Sequence, residues 1–343
     1  MRPLISIIIT SYNRSYIIAT ALDSVLMQDY ENLEIIVIDN CSTDETDEVI
    51  SKYLIDSRVR YIKNEVNIGA VPSLIKAVEL CNGTYFTHVS SDDRLINNSF
   101  ISDAVELINK YPTMVVLTAK NIFFNETTKA YRFPDSYKNS KFYDRECVNG
   151  KEVFLEYMNS YPVTMGASLL RRKEFIGLKD QKAAPIYYDL QIIMQLLLLG
   201  DVGFMDKEAY LVTLHDKNLS STLHKAEKNI ENALFIEMPY QQALEGNSFS
   251  EEVISEWHEK MLAQYLFYIL ADYYKRDKGE FNKFSNYAQQ HFPKIIVQIT
   301  KKPNWKLIMV IFKFQFIGES FVGLKNLAKK ILKPFLGKIS RKY

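Results

Sequence analysis

The chain has little of what marks secreted, metal-clustered or membrane-spanning proteins. Its 343 residues include only three cysteines, Cys41, Cys81 and Cys147, an odd number without metal-ligand spacing. That excludes a disulfide framework and fits a reducing compartment. No long apolar run is present either. The longest uncharged stretch, residues 157–170, has 14 residues and is broken by Asn159, Pro162 and Gly166, short of the roughly 18 a membrane span needs. The first residues enter a strand-like run directly, with no charged and apolar leader ahead of it, so a cytoplasmic protein is expected. Net charge is nearly absent as well, at +1, but that total is a cancellation. Residues 294–343 hold twelve Lys and Arg against one acid, Glu319, giving that tail +11 and residues 1–293 a net charge of −10. The remaining composition, 47% apolar, 24% charged and 13% aromatic, is globular, and the length suits two domains at about 150 residues each.

The first hundred residues alternate between two periods. Residues 4–10 and 33–39 are continuous apolar runs, as in strands buried on both faces, and residues 59–63 and 85–89 are shorter strands. Between them, Ile18, Leu22, Val25 and Leu26 form a helical stripe over residues 15–27. Ser42-Thr43-Asp44-Glu45 reads as a capping box opening a helix to about residue 54. Pro72 and Gly83 bracket a helix over 71–81, and residues 98–110 form the next. Strand–helix alternation of this kind predicts a three-layer α/β sandwich around a parallel sheet. Ligands of such sheets bind beyond the carboxyl ends of the strands, here near residues 10–13, 39–42 and 90–93. Residues 111–221 read as strand-poor. From about 222 to 300 long helical stretches dominate.

Each strand end carries polar groups. Ser11, Tyr12 and Asn13 follow the first strand, where a tyrosine can stack on a flat base and small neighbours leave room for it. Asp39 closes the second, where a carboxylate can accept the imide N–H of a pyrimidine. Ser90-Ser91-Asp92-Asp93 follows the fourth, and two adjacent carboxylates repel unless a cation or donor compensates them. Oxygen ligands of this type suit Mg²⁺ or Mn²⁺.

In order and spacing, Thr10-Ser11-Tyr12-Asn13-Arg14, residues 21–30, Val37-Ile38-Asp39-Asn40, Asn67-Ile68-Gly69, Gly83-Thr84-Tyr85 and Ser90-Ser91-Asp92-Asp93 resemble the family 2 glycosyltransferases of the GT-A fold. The resemblance implies an inverting, metal-dependent glycosyltransferase with a Rossmann-like three-layer domain over residues 1–221. It implies that Ser11, Tyr12, Asn13 and Asp39 hold the base of a nucleotide-diphosphate sugar, that Asp92 contacts the ribose or sugar side, and that Asp93 ligates Mn²⁺ or Mg²⁺. Further along, Gly166 matches a glycine close to donor or acceptor, Asp189 the general base, and His215 a histidine completing the metal shell. The sequence departs from the family pattern at Ser90, Tyr188, Thr213 and Leu74, where an acid, an acid, an arginine and an arginine are usual. Lys76 is the candidate substitute for the last.

The tail has its own pattern. On a helical wheel over residues 321–333, Leu324, Leu327, Ala328, Ile331 and Leu332 fall on one side and Lys325, Lys329, Lys330 and Lys333 on the other. A basic amphipathic helix of this kind can lie on an anionic membrane, so residues 301–343 are expected to attach the protein peripherally to the inner face of the cell membrane. A lipid-linked saccharide acceptor in O-antigen, capsule or other cell-surface polysaccharide synthesis follows from that tail and the resemblance. Nucleic acid is not an expected partner, because no recognition motif accompanies the charge. A nucleotidyltransferase would need a glycine-rich phosphate loop after the first strand, and residues 11–14 have none. A catalytically weak nucleotide-sugar binder or membrane adaptor would be insensitive to loss of Asp93 or Asp189.

Overall fold

The computed structural model describes residues 2–134, 137, 140–178, 184, 186–215 and 226–301. The basic tail beyond residue 301 lies outside the described residues. The chain divides into two compact units, one of Met1–Thr222 with Leu234–Ile254, the other of Leu223–Ala233 with Ser255–Tyr343. The stretch read from sequence as one helical region thus contributes to both.

The first unit is built on a ten-stranded sheet. Strands β1 (Ile5–Ser11), β2 (Leu33–Asp39), β3 (Val59–Lys63) and β4 (Tyr85–Ser90) fall where the apolar runs predict them. Between them lie α1 (Ile18–Leu26), α2 (Thr46–Ser51) and α3 (Ala70–Leu80), and after β4 come β5 (Arg94–Leu95) and α4 (Phe100–Lys110). β1 pairs in parallel with both β2 and β4, and β2 with β3. Ile5, Ile7, Ile8 and Ile9 of β1 and all seven residues of β2 are buried, as expected for central strands covered on both faces. Each of the isoleucine, leucine and valine side chains among them contributes about 1.5–3 kcal/mol of transfer free energy. The helix after β2 is shorter than the capping box suggests. Asp44 bonds Thr46 and the Ser15 amide instead of capping a long helix, so the acid serves a loop-to-loop tie.

Residues 111–221 overturn one expectation. The two longest strands among the described residues, β6 (Met114–Asn125) and β10 (Asp201–Leu214), lie in this supposedly strand-poor stretch and pair in parallel with each other. In β10 the exposed run Asp206-Lys207-Glu208 and register shifts between Phe204 and Tyr210 interrupt the period-2 pattern, as a bulge does. The short strands β7 (Ala130–Arg132) and β8 (Cys147–Val148) pair antiparallel with β6 and β10. After α5 (Gly150–Ser160), β9 (Ser168–Arg171) inserts antiparallel between β4 and β6. The sheet order is β3-β2-β1-β4-β9-β6-β10-β5, so the sheet is mostly parallel and not wholly so. Helices α6 (Arg172–Ile176), α7 (Tyr188–Leu197) and α9 (Leu234–Glu245) complete the unit, and the Gln242 amide donates to the Gln195 carbonyl.

The second unit contains α8 (Ala226–Asn232), most of α10 (Glu251–Arg276), α11 (Lys278–His291) and α12 (Pro293–Lys301). Asn229 and Tyr273 share a buried hydrogen bond of 2.6 Å, and the Tyr273 ring packs edge-on against Phe284 with centroids 5.8 Å apart, within the roughly 4.5–7 Å of such pairs. Among the described residues no helix is long and apolar enough to cross a membrane.

Candidate active site

The carboxyl ends of β1, β2 and β4 are adjacent because these strands are paired in register, Ser11 beside Asp39 and Thr10 beside Ser90. Both β1 and β2 leave the sheet through left-handed residues, Asn13 (φ 52°) and Cys41 (φ 67°). Asparagine tolerates this conformation well. The two loops are stitched together: the Asn13 amide donates to Ser42 Oγ at 2.8 Å, and the Thr43 amide to Asn13 Oδ1 at 2.9 Å. Tyr12 stands outside this tie and is 43% exposed, available for stacking.

Asp39 has a different neighbourhood from the expected one. Its carboxylate has no exposed surface; it accepts hydrogen bonds from the Ser42 amide and hydroxyl and from the Tyr61 hydroxyl at 3.1 Å, and Lys63 lies 3.9 Å away. In this conformation it organises the loop floor beneath Tyr12. Lys76 is also elsewhere. Two residues past Leu74 on α3, about 200° around the helix, it donates to Asn64 Oδ1 at 2.8 Å while Leu74 and Val71 face the cleft. Asn64, Asn40 and Asn67 form one amide network that holds the Asn67-Ile68-Gly69 turn, with Gly69 at φ 92°. Lys76 therefore braces this turn and does not replace the missing arginine in the cleft.

The acidic pair divides its work. Asp93 is buried: its Oδ1 accepts from the Thr213 amide at 2.8 Å and its Oδ2 from the Tyr210 hydroxyl at 2.9 Å. Burial, and then the neighbouring Asp92 charge, push its carboxyl up to about 7. Asp92 instead meets His215, with Nε2 3.1 Å from Oδ2, and Arg14 Nε at 3.7 Å. The resemblance assigns Asp93 and His215 to a metal; in this conformation the carboxylate that touches His215 is that of Asp92. Among the described residues no group of three or more His, Cys, Asp or Glu is gathered to hold a metal ion.

A cleft of about 390 Å³ opens beside Asp93. Its walls include Thr10, His88 and Ser90 from the strand ends, Asn121 from β6, Gly166, and Tyr188, Asp189 and Tyr210. Asp189 opens α7 and is reached by solvent, but the cleft walls crowd it, and that desolvation pushes its carboxyl up to about 6. Gly166 has a structural reason. A Cβ there would lie 2.7 Å from Cζ of Tyr210, so the glycine makes space for the ring that holds Asp93. His88, which the sequence offers no reason to single out, accepts or donates a 2.9 Å bond with Thr10 Oγ1, and burial lowers its pKa to about 4, so it is neutral. Its register position two residues before Ser90 was the available signal. Arg14 was legible only as part of the motif after β1, and Tyr210 not at all, because its strand was missed.

The comparisons bear on the family and the fold. The family model described as Glycosyl transferase family 2 matches residues 6–175. An uncharacterized glycosyltransferase of Haemophilus influenzae is 28% identical over 238 residues, 66% of this chain and 70% of that protein. The UDP-Glc:alpha-D-GlcNAc-diphosphoundecaprenol beta-1,3-glucosyltransferase WfaP of Escherichia coli is 41% identical over 90 residues, 26% of this chain and 36% of WfaP, so only about a third of WfaP's length is matched. The crystal structure of S. aureus TarS 1-349 in complex with UDP-GlcNAc superposes with a TM-score of 0.61 at 16% identity, covering 91% of this chain and 92% of that one. The last likeness is one of fold. Taken with the motifs at the strand ends, these matches show that the chain belongs to glycosyl transferase family 2.

Proposed function

We propose that the chain moves a sugar from a nucleoside-diphosphate sugar, with a pyrimidine base favoured, to a hydroxyl of a saccharide acceptor with inversion at the anomeric carbon. The observation that carries this reading is a cleft holding both Asp189 and Asp93, with the Asp92–His215 pair one residue along from Asp93. Tyr12 offers its ring face to the base, and Ser11 and Asn13 leave room for it. Asp39 accepts the base imide N–H once the Ser42 hydroxyl, its present partner, turns aside. Asp189 in its ionised form takes the proton of the acceptor hydroxyl as that oxygen attacks the anomeric carbon, and the bond from that carbon to the diphosphate oxygen breaks. Such a proton transfer is worth about 10²–10⁴-fold.

Asp92 and His215 fit Mn²⁺ or Mg²⁺. They already bring a carboxylate oxygen and an imidazole nitrogen together at 3.1 Å, and such ions are commonly held by one or two protein groups plus ligand phosphates. This moves the carboxylate ligand from Asp93 to its neighbour, leaving Asp93 to fix Tyr210 and the Thr213 backbone. The cation, when bound, supplies positive charge to the leaving nucleoside diphosphate.

The acceptor in this reading is a lipid-linked saccharide of a bacterial cell-surface polysaccharide, a class that includes the diphosphoundecaprenol substrate in WfaP's name. Residues 1–221 carry the chemistry, 222–300 form a helical region, and the +11 tail binds the anionic inner face of the membrane. The test is equilibrium binding of UDP, GDP and their sugars to the full chain, with and without Mn²⁺. Cation-dependent binding of UDP supports the reading; absence of any cation-dependent pyrimidine nucleotide binding overturns it.

A further inference from the structure

Three side-chain oxygens lining the cleft, of Asn121, Thr164 and Tyr188, are buried without a hydrogen-bond partner among the described residues. Asn121, 4% exposed, and Tyr188, 3% exposed, both line it, and Asn121 Oδ1 and the Tyr188 hydroxyl are buried without a hydrogen bond. Native proteins satisfy nearly all buried polar groups, so each such exception calls for an explanation. Neither side chain is needed for packing alone. A leucine has nearly the shape of asparagine, and a phenylalanine differs from tyrosine only by the hydroxyl. The two come from unconnected elements, β6 and α7, yet border the same cavity, Tyr188 directly beside Asp189 in sequence.

The position within the cleft says what they would meet. Tyr12 and Asp39, at the ends of β1 and β2, do not line this cavity, whereas Asp93 and Asp189 do. On the reading above, the base therefore lies outside it and the reacting sugar inside it. Asn121 Oδ1 can only accept, so it needs a hydroxyl or amide N–H, and the Tyr188 hydroxyl can donate or accept. A hexose ring is dense in such groups. Leu74, Ser90 and Tyr188, three of the four positions where the sequence departs from the family pattern, line this same cavity.

We infer that Asn121 and Tyr188 are specificity-determining residues that hydrogen-bond the hydroxyl or amide groups of the transferred sugar. The inference rests on the transferase reading above. While the cleft is empty, ordered water can satisfy both atoms; a sugar that displaces it must return the bonds. A pocket built to bond a given hydroxyl rejects the analogue lacking it far more strongly than an apolar pocket rejects a missing methylene.

The test uses the full chain and the variants Asn121→Leu and Tyr188→Phe. UDP binding in the presence of Mn²⁺ and Tm are measured first. Donor hydrolysis is then followed with UDP-glucose, UDP-galactose, UDP-GlcNAc and the monodeoxy analogues of the preferred sugar. Expected are an unchanged UDP affinity, an unchanged or higher Tm, and a fall of about tenfold or more in discrimination against one monodeoxy donor. If UDP binds normally and both variants keep the wild-type sugar preference, the inference is wrong while the transferase reading stands. A drop of several degrees in Tm for Tyr188→Phe overturns it too, because the hydroxyl would then have a structural partner. If UDP does not bind the wild-type chain with Mn²⁺, both readings fall together.

Discussion

Replacing Gly166 by alanine probes the link between the sheet and Asp93. An added Cβ would sit 2.7 Å from Cζ and 2.8 Å from Cε1 of Tyr210. Carbon atoms at rest stand about 3.5–4.0 Å apart, so the ring must retreat by roughly 0.8 Å or more. The ring is 2% exposed and cannot swing into solvent. Its hydroxyl donates to Asp93 Oδ2 at 2.9 Å and accepts from the Ser90 amide at 3.2 Å, so the same shift strains both bonds. Overpacking of this kind costs about 1–3 kcal/mol, and loosening a buried bond to a carboxylate adds about 1 kcal/mol or more. A loss of about 2–4 kcal/mol corresponds to a urea midpoint lower by roughly 1 M. The informative comparison is the double variant. Tyr210→Leu removes the colliding ring atoms, so Gly166→Ala should cost under about 1 kcal/mol in that background, a coupling typical of touching residues. If Gly166→Ala costs the same with Tyr210 and with Leu at that position, the contact does not explain the glycine.

Other outcomes follow from the same geometry. Because Asp189 must be ionised to act as a base and is pushed up to about 6, the rate at saturating substrate should fall as pH drops through about 6, and a flat profile between pH 5 and 7 would count against it. Asp92→Ala and His215→Ala should each weaken UDP binding with Mn²⁺ while leaving the weaker cation-free binding unchanged; an equal loss under both conditions would remove the pair from the cation's surroundings. Glu34 accepts bonds from Ser6 Oγ at 2.6 Å and the Gly83 amide at 3.0 Å, and although burial raises its pKa these bonds outweigh it and hold the carboxyl below its usual value. Its stabilisation is therefore present above the unfolded-state pKa and lost as pH falls through the lower folded-state value. Glu34→Ala should cost about 1–3 kcal/mol at pH 7 and flatten the acid limb of urea midpoint against pH. Truncation near residue 300 should abolish pelleting with anionic vesicles; unchanged pelleting would show that the tail is not the membrane handle.

The strands and most helices of the first hundred residues were legible because β1 and β2 are buried on both faces, which leaves an uninterrupted apolar signature. β10 was hidden because its middle turns Asp206, Lys207 and Glu208 to solvent at a bulge. The chemistry-bearing residues were legible as types, and less so as contacts. Asp92 and Asp93 are adjacent in sequence, and nothing in that adjacency says which one faces His215; the answer comes from β10, whose Tyr210 and Thr213 occupy Asp93. Lys76 stood as the candidate substitute for the arginine absent at Leu74 because the asparagines it braces, Asn64 and through it Asn40, lie on other elements. Asn121 becomes notable only through an atom without a partner among the described residues, a property no sequence pattern carries, whereas Tyr188 stood out in sequence as a departure from the family pattern and not as a buried hydroxyl.

The central claim, cation-assisted sugar transfer with Asp189 as base, is tested most directly by following UDP-sugar hydrolysis by the full chain with Mn²⁺, with a chelator, and in the Asp189→Asn variant. The account predicts turnover that depends on the cation and falls by about 10²-fold or more in the variant, with UDP binding retained. Equal turnover by wild type and Asp189→Asn, or turnover indifferent to the chelator, would contradict it.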